Sequence, residues 1–137
     1  MLLTFLKKHA LSLFLTVVII ALSLCPIGRI ELAEGVPLAD KCTHMVMYAA
    51  LSLALAWEYH RNHVRQAQCK HTHIVWLRFL GIVLLLPIVL GGVLELAQAY
   101  CTNYRSGEWL DLVADAIGAA VATALAAVFF KSLRVIP

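Results

Sequence analysis

Two long apolar runs without any charged residue constrain this chain more than any other feature of its sequence. They cover Phe79–Leu94 and Ala116–Phe130. The stretch between them, Glu95–Asp115, is polar and contains four acidic residues and one arginine. A transmembrane helix needs about 20 mainly apolar residues, so each run with its flanks is long enough to cross a bilayer.

The composition of the whole chain supports the same conclusion. Hydrophobic residues make up 62% of the 137 residues and charged residues 14%, and the mean hydropathy is +0.86. A soluble domain is about 45–50% apolar and about 25% charged. We therefore predict an all-α integral membrane protein, with residues 1–137 as a single domain in a lipid bilayer. The basic residues flank apolar segments and form no separate face, so nucleic acid is not an expected partner.

Four membrane spans account for the apolar segments, and together they predict a bundle of four transmembrane helices. The predicted spans are about Ala10–Ile27, Cys42–Trp57, Trp76–Tyr100 and Trp109–Phe130. The first span has an alternative as a cleaved signal peptide, because Lys7 and Lys8 precede its apolar run. The large Leu24 before Cys25 disfavours cleavage there.

The distribution of basic residues predicts the orientation of this bundle. With four spans, the two termini and the middle loop lie on one side of the membrane. That side carries eight of the eleven basic residues, and the other side keeps Arg29, Lys41 and Arg105. The positive-inside rule then places both termini in the cytoplasm and the polar stretch outside.

The second predicted span begins with a polar helix face. Asp40, His44 and Tyr48 are four residues apart, so they lie on one side of a helix, and Lys41 begins the same helix. An N-cap, a snorkelling lysine and an interfacial aromatic residue would explain them without any function. His44 and Tyr48 continue the polar face toward the membrane interior, which favours a site.

The third and fourth spans carry polar residues toward the same side of the membrane. Glu95 and Gln98 lie three residues apart near the end of the third span. Asp111, Asp115 and Gly118 form one face of the fourth. Capping does not explain Asp115, which lies one turn inside, and a charged residue in a span costs about 2.5–3.5 kcal/mol on insertion scales. Such residues are candidates for a functional site.

Connectivity predicts that these polar residues meet in one outward-facing pocket. The predicted ligand-binding residues are Asp40, Lys41, His44, Tyr48, Glu95, Gln98, Arg105, Asp111 and Asp115. Acidic groups outnumber basic ones in this set, so either a carboxylate holds a proton or a cationic group binds there. A self-satisfied ion-pair network that fixes helix packing is the structural alternative.

The same residues resemble those of a known family. Asp40 and Lys41 with His44 and Tyr48, then Glu95 and Gln98, then Arg105 with Asp111 and Gly118, are similar to the VanZ-like family of small bacterial membrane proteins. The resemblance covers about residues 38–122. Asp115 departs from it, because the family commonly has asparagine there. The resemblance implies a bacterial cytoplasmic (inner) membrane protein of the cell envelope, similar to a protein linked to resistance to the glycopeptide antibiotic teicoplanin.

Two functional hypotheses follow. In the first, the pocket binds an envelope ligand that is lipid-linked or related to peptidoglycan, with Arg105 and Lys41 at its anionic groups. In the second, the chain is an intramembrane hydrolase or transferase acting on a lipid headgroup. Its catalytic candidates are His44 as a general base, Asp40 as the residue that orients it, and Arg105 as the group that stabilises negative charge. The sequence contains no serine or cysteine nucleophile motif, so water or a substrate hydroxyl would attack.

Histidines and cysteines elsewhere have bland and functional interpretations. The loop between the second and third spans contains His60, His63, Cys69, His71 and His73, which suit either a transition metal or a basic surface near anionic lipid headgroups. Its spacing matches no closed zinc module, and the sequence predicts neither a metal site nor a cofactor. Cys42 and Cys101 fall at the outer ends of spans, where they are either free thiols or a disulfide.

Overall fold

The computed structural model describes residues 2–24, 39–67, 76–101 and 107–132. All regular structure in these ranges is helical, which confirms the all-α prediction for the described part of the chain. The helices are α1 (Leu2–Lys8), α2 (Ala10–Leu24), α3 (Ala39–Ala67), α4 (Trp76–Leu80), α5 (Leu86–Cys101) and α6 (Trp109–Ser132). A π-helical segment, Gly81–Leu85, joins α4 to α5.

Two of the described helices are long and apolar enough to cross a membrane. They are Trp76–Cys101, which includes the π-helical segment, and Trp109–Phe130. Only 33% and 39% of their most apolar 18-residue windows are buried, whereas the core helix of a soluble protein is mostly buried. Their exposed side chains include Leu86, Val93 and Phe129. A membrane environment would cover these apolar faces, and both helices coincide with predicted spans.

The two other predicted spans fall on described helices that do not combine the length and the apolar composition needed to cross a membrane. The first predicted span coincides with α2, an apolar helix of 15 residues. The second lies within α3, whose 29 residues extend well beyond it at the C-terminal end. α3 begins at Ala39, so Asp40 lies in its first turn rather than before it.

The helix pair α3 and α6 forms the most extensive interface among the described helices. Small residues of α6 allow this packing, since Gly118, Ala119 and Ala122 are all buried. A Cβ atom added at Gly118 would overlap the Met45 carbonyl oxygen, so any side chain here would force α3 and α6 apart. Glycine therefore lets α6 lie directly against the backbone of α3, beside His44.

The hydrophobic core lies deeper along the same helices and joins α2, α3 and α6 to the Trp76–Cys101 helix. Its buried residues are Ile19, Tyr48, Leu51, Leu55, Ala56, Phe79, Val83, Leu94, Ala126 and Phe130. His60 stacks on Phe130 with ring centroids 4.2 Å apart, and His63 stacks on Tyr59 at 5.7 Å. These two histidines thus contribute to aromatic packing, while Cys69, His71 and His73 lie outside the described residues.

Pro87 lies just beyond the π-helical segment and shapes the third predicted span. The Leu86 N–H bonds the Gly81 carbonyl, five residues back, as expected for a π-helical turn. Proline has no N–H for the Val83 carbonyl four residues earlier. Thr123 Oγ1 of α6 lies 3.4 Å from that oxygen, but its single proton is better placed for the Ala119 carbonyl at 2.7 Å. The contact with Val83 therefore brings α6 close to the backbone at the proline without replacing the lost hydrogen bond.

Candidate functional site

The predicted polar residues that the structure describes meet at one end of the helices. The beginning of α3 supplies Asp40, Lys41 and His44, and the last turns of α5 supply Glu95. The first two turns of α6 supply Asp111 and Asp115. The three helices meet here because α3 and α6 both begin at this end and α5 finishes at it, as the connectivity predicts.

Lys41 lies on the solvent side of this cluster and forms ion pairs with two carboxylates. Its Nζ lies 2.8 Å from Glu108 Oε2 and 2.5 Å from Asp111 Oδ1. Hydrogen bonds to Asp111 and Glu108 hold the pKa of Lys41 above its ordinary value. Lys41 therefore carries its charge at neutral pH and fixes the start of α6 against the start of α3.

His44 lies at the centre of the site, between two aspartates of α6. The residue is 4% exposed. Its Nδ1 is 3.0 Å from Asp115 Oδ1, and its Nε2 is 3.8 Å from Asp111 Oδ2. A carboxylate at hydrogen-bonding distance from one ring nitrogen fixes the orientation of the imidazole. Asp115 thus orients His44, a role that the sequence analysis assigned to Asp40.

Asp115 is the most buried acidic residue of the site, with 0% exposure. Its Oδ1 faces His44, whereas its Oδ2 is buried without a hydrogen-bond partner among the described residues. Oδ2 lies against α5, where a Cβ atom added at Gly91 would come within 2.5 Å of it. Glycine at 91 leaves the room that this oxygen occupies. A buried carboxylate oxygen without a partner is costly, and it requires a physical reason.

Glu95 connects α5 to the start of α6. Its Oε2 accepts a hydrogen bond of 2.8 Å from the Glu108 backbone N–H, and the residue is 8% exposed. Glu108 in turn accepts a backbone hydrogen bond of 2.9 Å from Asp111 at the N-terminus of α6. A carboxylate at this position satisfies an N–H group that precedes the helix.

Two predicted ligand-binding residues border the cluster with roles in packing. Gln98 is buried, and its Nε2 donates a 3.0 Å hydrogen bond to the Ser23 carbonyl at the end of α2. Tyr48 is 1% exposed and belongs to the hydrophobic core. Arg105 lies outside the described residues. The hypothetical disulfide is absent, since Cys42 and Cys101 are both free and exposed.

Glu108 belongs to the cluster although the sequence analysis did not select it. It pairs with Lys41 through its side chain and binds Glu95 through its backbone N–H. The available signal was its position, since an acidic residue directly before an apolar helix is favoured by the helix dipole.

A second polar cluster at the opposite end of α3 was also missed. Glu58 is 2% exposed and accepts hydrogen bonds from the Leu11 N–H at 2.9 Å, the Ser12 N–H at 3.2 Å and Ser12 Oγ at 2.6 Å. His9 Nδ1 lies 3.4 Å from the same carboxylate. Glu58 therefore caps the N-terminus of α2 from a neighbouring helix. The signal in the sequence was that Glu58 is the only acidic residue on the predicted cytoplasmic side.

The first cluster has the chemical features of a cation-binding or proton-handling site. Five carboxylates, those of Asp40, Glu95, Glu108, Asp111 and Asp115, surround one lysine and one histidine. Two sets of three residues could each hold a metal ion, because the ligand atoms within each set lie within 4.8 Å of one another. One set is Asp40, His44 and Asp111, and the other is His44, Glu95 and Asp115. Both sets contain the donor types that first-row metal ions accept.

Two grooves among the described residues are apolar and lie away from this cluster. One is lined by Leu53, Trp57, Leu125 and Phe129, on α3 and α6. These side chains suit lipid acyl chains better than a polar ligand, and the polar cluster remains the candidate functional site.

Comparison with known proteins identifies no relative. No protein-family model, no curated protein and no solved structure matches the chain. The resemblance to the VanZ-like family therefore stays a prediction.

Proposed function

We propose that the chain is a four-span protein of the bacterial inner membrane that binds an envelope ligand at its outward-facing polar site. Both termini lie in the cytoplasm in this proposal. The two apolar helices and the excess of basic residues on the side of the termini support it. The ligand is a lipid-linked molecule or one related to peptidoglycan, because the proposed topology puts the site at the outer surface beside lipid.

One observation carries the proposal, namely the excess of negative charge among residues that three helices bring together. If every carboxylate is ionised and His44 is protonated, five negative charges face two positive ones among the described residues of the site. Lys41 is already paired with Glu108 and Asp111. The carboxylates that are not paired with Lys41 would therefore bind amines and hydroxyls of a ligand. Arg105 would bind the anionic groups of that ligand.

Complementation of a deletion strain tests this function. Loss of the protein is expected to change susceptibility to teicoplanin or the handling of cell-wall precursors. Asp111→Ala and Arg105→Ala are expected to leave that defect uncorrected at expression equal to wild type. Thr43→Ala is the matched control, since Thr43 is an exposed residue on α3 whose hydroxyl bonds the Ala39 carbonyl of its own helix. Full complementation by both site variants would exclude a role for the site.

The pairing of His44 with Asp115 favours a second candidate, an intramembrane hydrolase or transferase that acts on a lipid headgroup. A carboxylate 3.0 Å from one ring nitrogen is the arrangement that orients a general base. Water or a substrate hydroxyl would lose its proton to His44 while attacking the headgroup. Purified protein incubated with envelope lipids tests this candidate, and a product that wild type forms and His44→Gln does not would establish it. Absence of any His44-dependent product would leave ligand binding as the function.

A further inference from the structure

His44, Glu95 and Asp115 form a compact set of potential metal ligands, one from each of three helices. One ligand atom from each side chain lies within 4.8 Å of the other two. The three residues are 4%, 8% and 0% exposed. We propose that these three side chains bind a divalent first-row metal ion, with Zn²⁺ as the test ion. The inference concerns the same site as the proposed function but does not depend on which ligand binds there.

The unpartnered oxygen Asp115 Oδ2 is a second, independent observation that favours a bound cation. It is buried, lacks a hydrogen-bond partner among the described residues, and faces α5, the helix that supplies Glu95. Native proteins rarely leave such an oxygen unsatisfied, and a bound ion can supply the contact that it lacks. A metal ion held between α5 and α6 would give this carboxylate its partner.

The distance between His44 and Asp115 suits two ligands of one ion. Zinc binds imidazole nitrogen and carboxylate oxygen at about 2.0–2.2 Å, so two ligand atoms on one ion lie about 3–3.5 Å apart. His44 Nδ1 and Asp115 Oδ1 are 3.0 Å apart, at the lower end of this range. This is also a hydrogen-bonding distance, so a bound ion would take the place of the hydrogen bond between the two atoms. Small movements of Glu95 would complete the set, because its nearest ligand atom lies within 4.8 Å of both.

The charge and the donor types select the class of metal. Two carboxylates and a neutral imidazole balance a dication, which removes the cost of two uncompensated buried charges. One nitrogen and two oxygen donors suit Zn²⁺, Mn²⁺ or Fe²⁺ better than Mg²⁺, which prefers an all-oxygen shell with several waters.

Neighbouring groups supply the outer contacts that metal ligands usually have. Asp111 Oδ2 lies 3.8 Å from the remaining ring nitrogen of His44, Nε2, which is close enough for an electrostatic contact but too far for a hydrogen bond. Glu95 is held through Oε2 by the Glu108 N–H at 2.8 Å. Such contacts fix the orientation of the ligating side chains and increase their affinity for the metal.

Metal binding by the purified full-length protein tests the proposal without any envelope ligand. The protein is treated with a chelator in detergent, and its affinity for Zn²⁺ and its metal content are then measured. Wild type is expected to bind one ion at this site. Glu95→Gln and Asp115→Asn are each expected to weaken that binding more than about 100-fold, the upper end of losses caused by changes in outer contacts. Thr43→Ala is expected to bind as wild type does.

Two further measurements keep the outcome decisive. Co²⁺ added to wild type is expected to give a visible absorption band that Zn²⁺ abolishes, a readout that needs no variant to fold. Asp40→Asn distinguishes the two ligand sets, because Asp40 belongs only to the other one. Unchanged zinc affinity in both Glu95→Gln and Asp115→Asn would overturn the proposal, as would a loss seen in Asp40→Asn alone. If purified wild-type protein binds zinc at this site but loss of the protein changes neither teicoplanin susceptibility nor the handling of cell-wall precursors, the metal site is upheld and the proposed function is rejected.

Discussion

At the scale of single residues, the free-energy cost of burying polar groups in the polar site falls mainly on Asp115. The side chain is fully buried, one oxygen faces His44 and the other lacks a partner among the described residues. A network selected only for stability would satisfy both oxygens, because half-satisfied buried polar groups destabilise a fold. A bound ligand or ion, as proposed above, would supply the partner that this oxygen lacks.

Asp115→Asn separates a binding role from a packing role. Asparagine has nearly the same shape, can still accept a hydrogen bond from His44, and removes a buried charge. We expect the free energy of unfolding in detergent to change by less than about 1 kcal/mol, the scale of one hydrogen bond, while complementation is lost. In a structural ion-pair network, removing one partner would cost about 3–5 kcal/mol. A loss of that size in chemical denaturation would identify Asp115 as a packing residue.

At the scale of helices, two close contacts determine where the functional groups lie. The first is the contact of Gly118 with the backbone of Met45, which brings Asp115 to His44. The second is the capping of α2 by Glu58, which fastens α2 to α3 at the other end. Each contact joins elements that are distant in sequence.

Gly118→Ala tests the first contact. The added methyl group would overlap the Met45 carbonyl oxygen, so α3 and α6 must separate. Overpacking of this kind costs about 1–3 kcal/mol, and complementation should fall with it. Gly81→Ala is the matched control, because a Cβ atom there meets nothing within 4 Å. Equal stability and equal complementation of the two variants, measured side by side, would be incompatible with the close packing of α3 and α6.

Glu58→Ala tests the second contact. Removing the carboxylate leaves the Leu11 and Ser12 N–H groups without this acceptor, and we expect a loss of about 2–4 kcal/mol in stability. Glu58→Gln retains an acceptor and should lose less. Thermal unfolding in detergent measures both variants. If Glu58→Ala unfolded at the wild-type temperature, α2 would not depend on this cap.

Sequence reasoning located the helices and the site better than it located the partners within the site. Long apolar runs predicted Trp76–Cys101 and Trp109–Phe130, and connectivity predicted that Glu95 and Asp111 meet the start of α3. Spacing along one helix suggested Asp40 as the residue orienting His44. The contact with Asp115 arises from tertiary packing at Gly118, and spacing along a single helix cannot reveal such a contact. Burial of Glu58 likewise depends on how α2 docks.

At the scale of the whole molecule, the proposal requires a topology in which the polar site faces outward. Cys42 follows Lys41 on α3, and Cys101 ends α5, so both free thiols lie near the site and are exposed. Cys69 falls in the loop predicted to be cytoplasmic. In the proposed topology, the chain therefore contains natural reporters for both sides of the membrane.

Labelling of intact cells with a membrane-impermeant maleimide measures this topology most directly. Variants that keep a single cysteine are compared before and after permeabilisation of the inner membrane. Cys42-only and Cys101-only proteins are expected to react in intact cells, and Cys69-only protein is expected to react only after permeabilisation. The opposite pattern, with Cys69 labelled from outside and Cys42 protected, would place the site in the cytoplasm and contradict an envelope ligand.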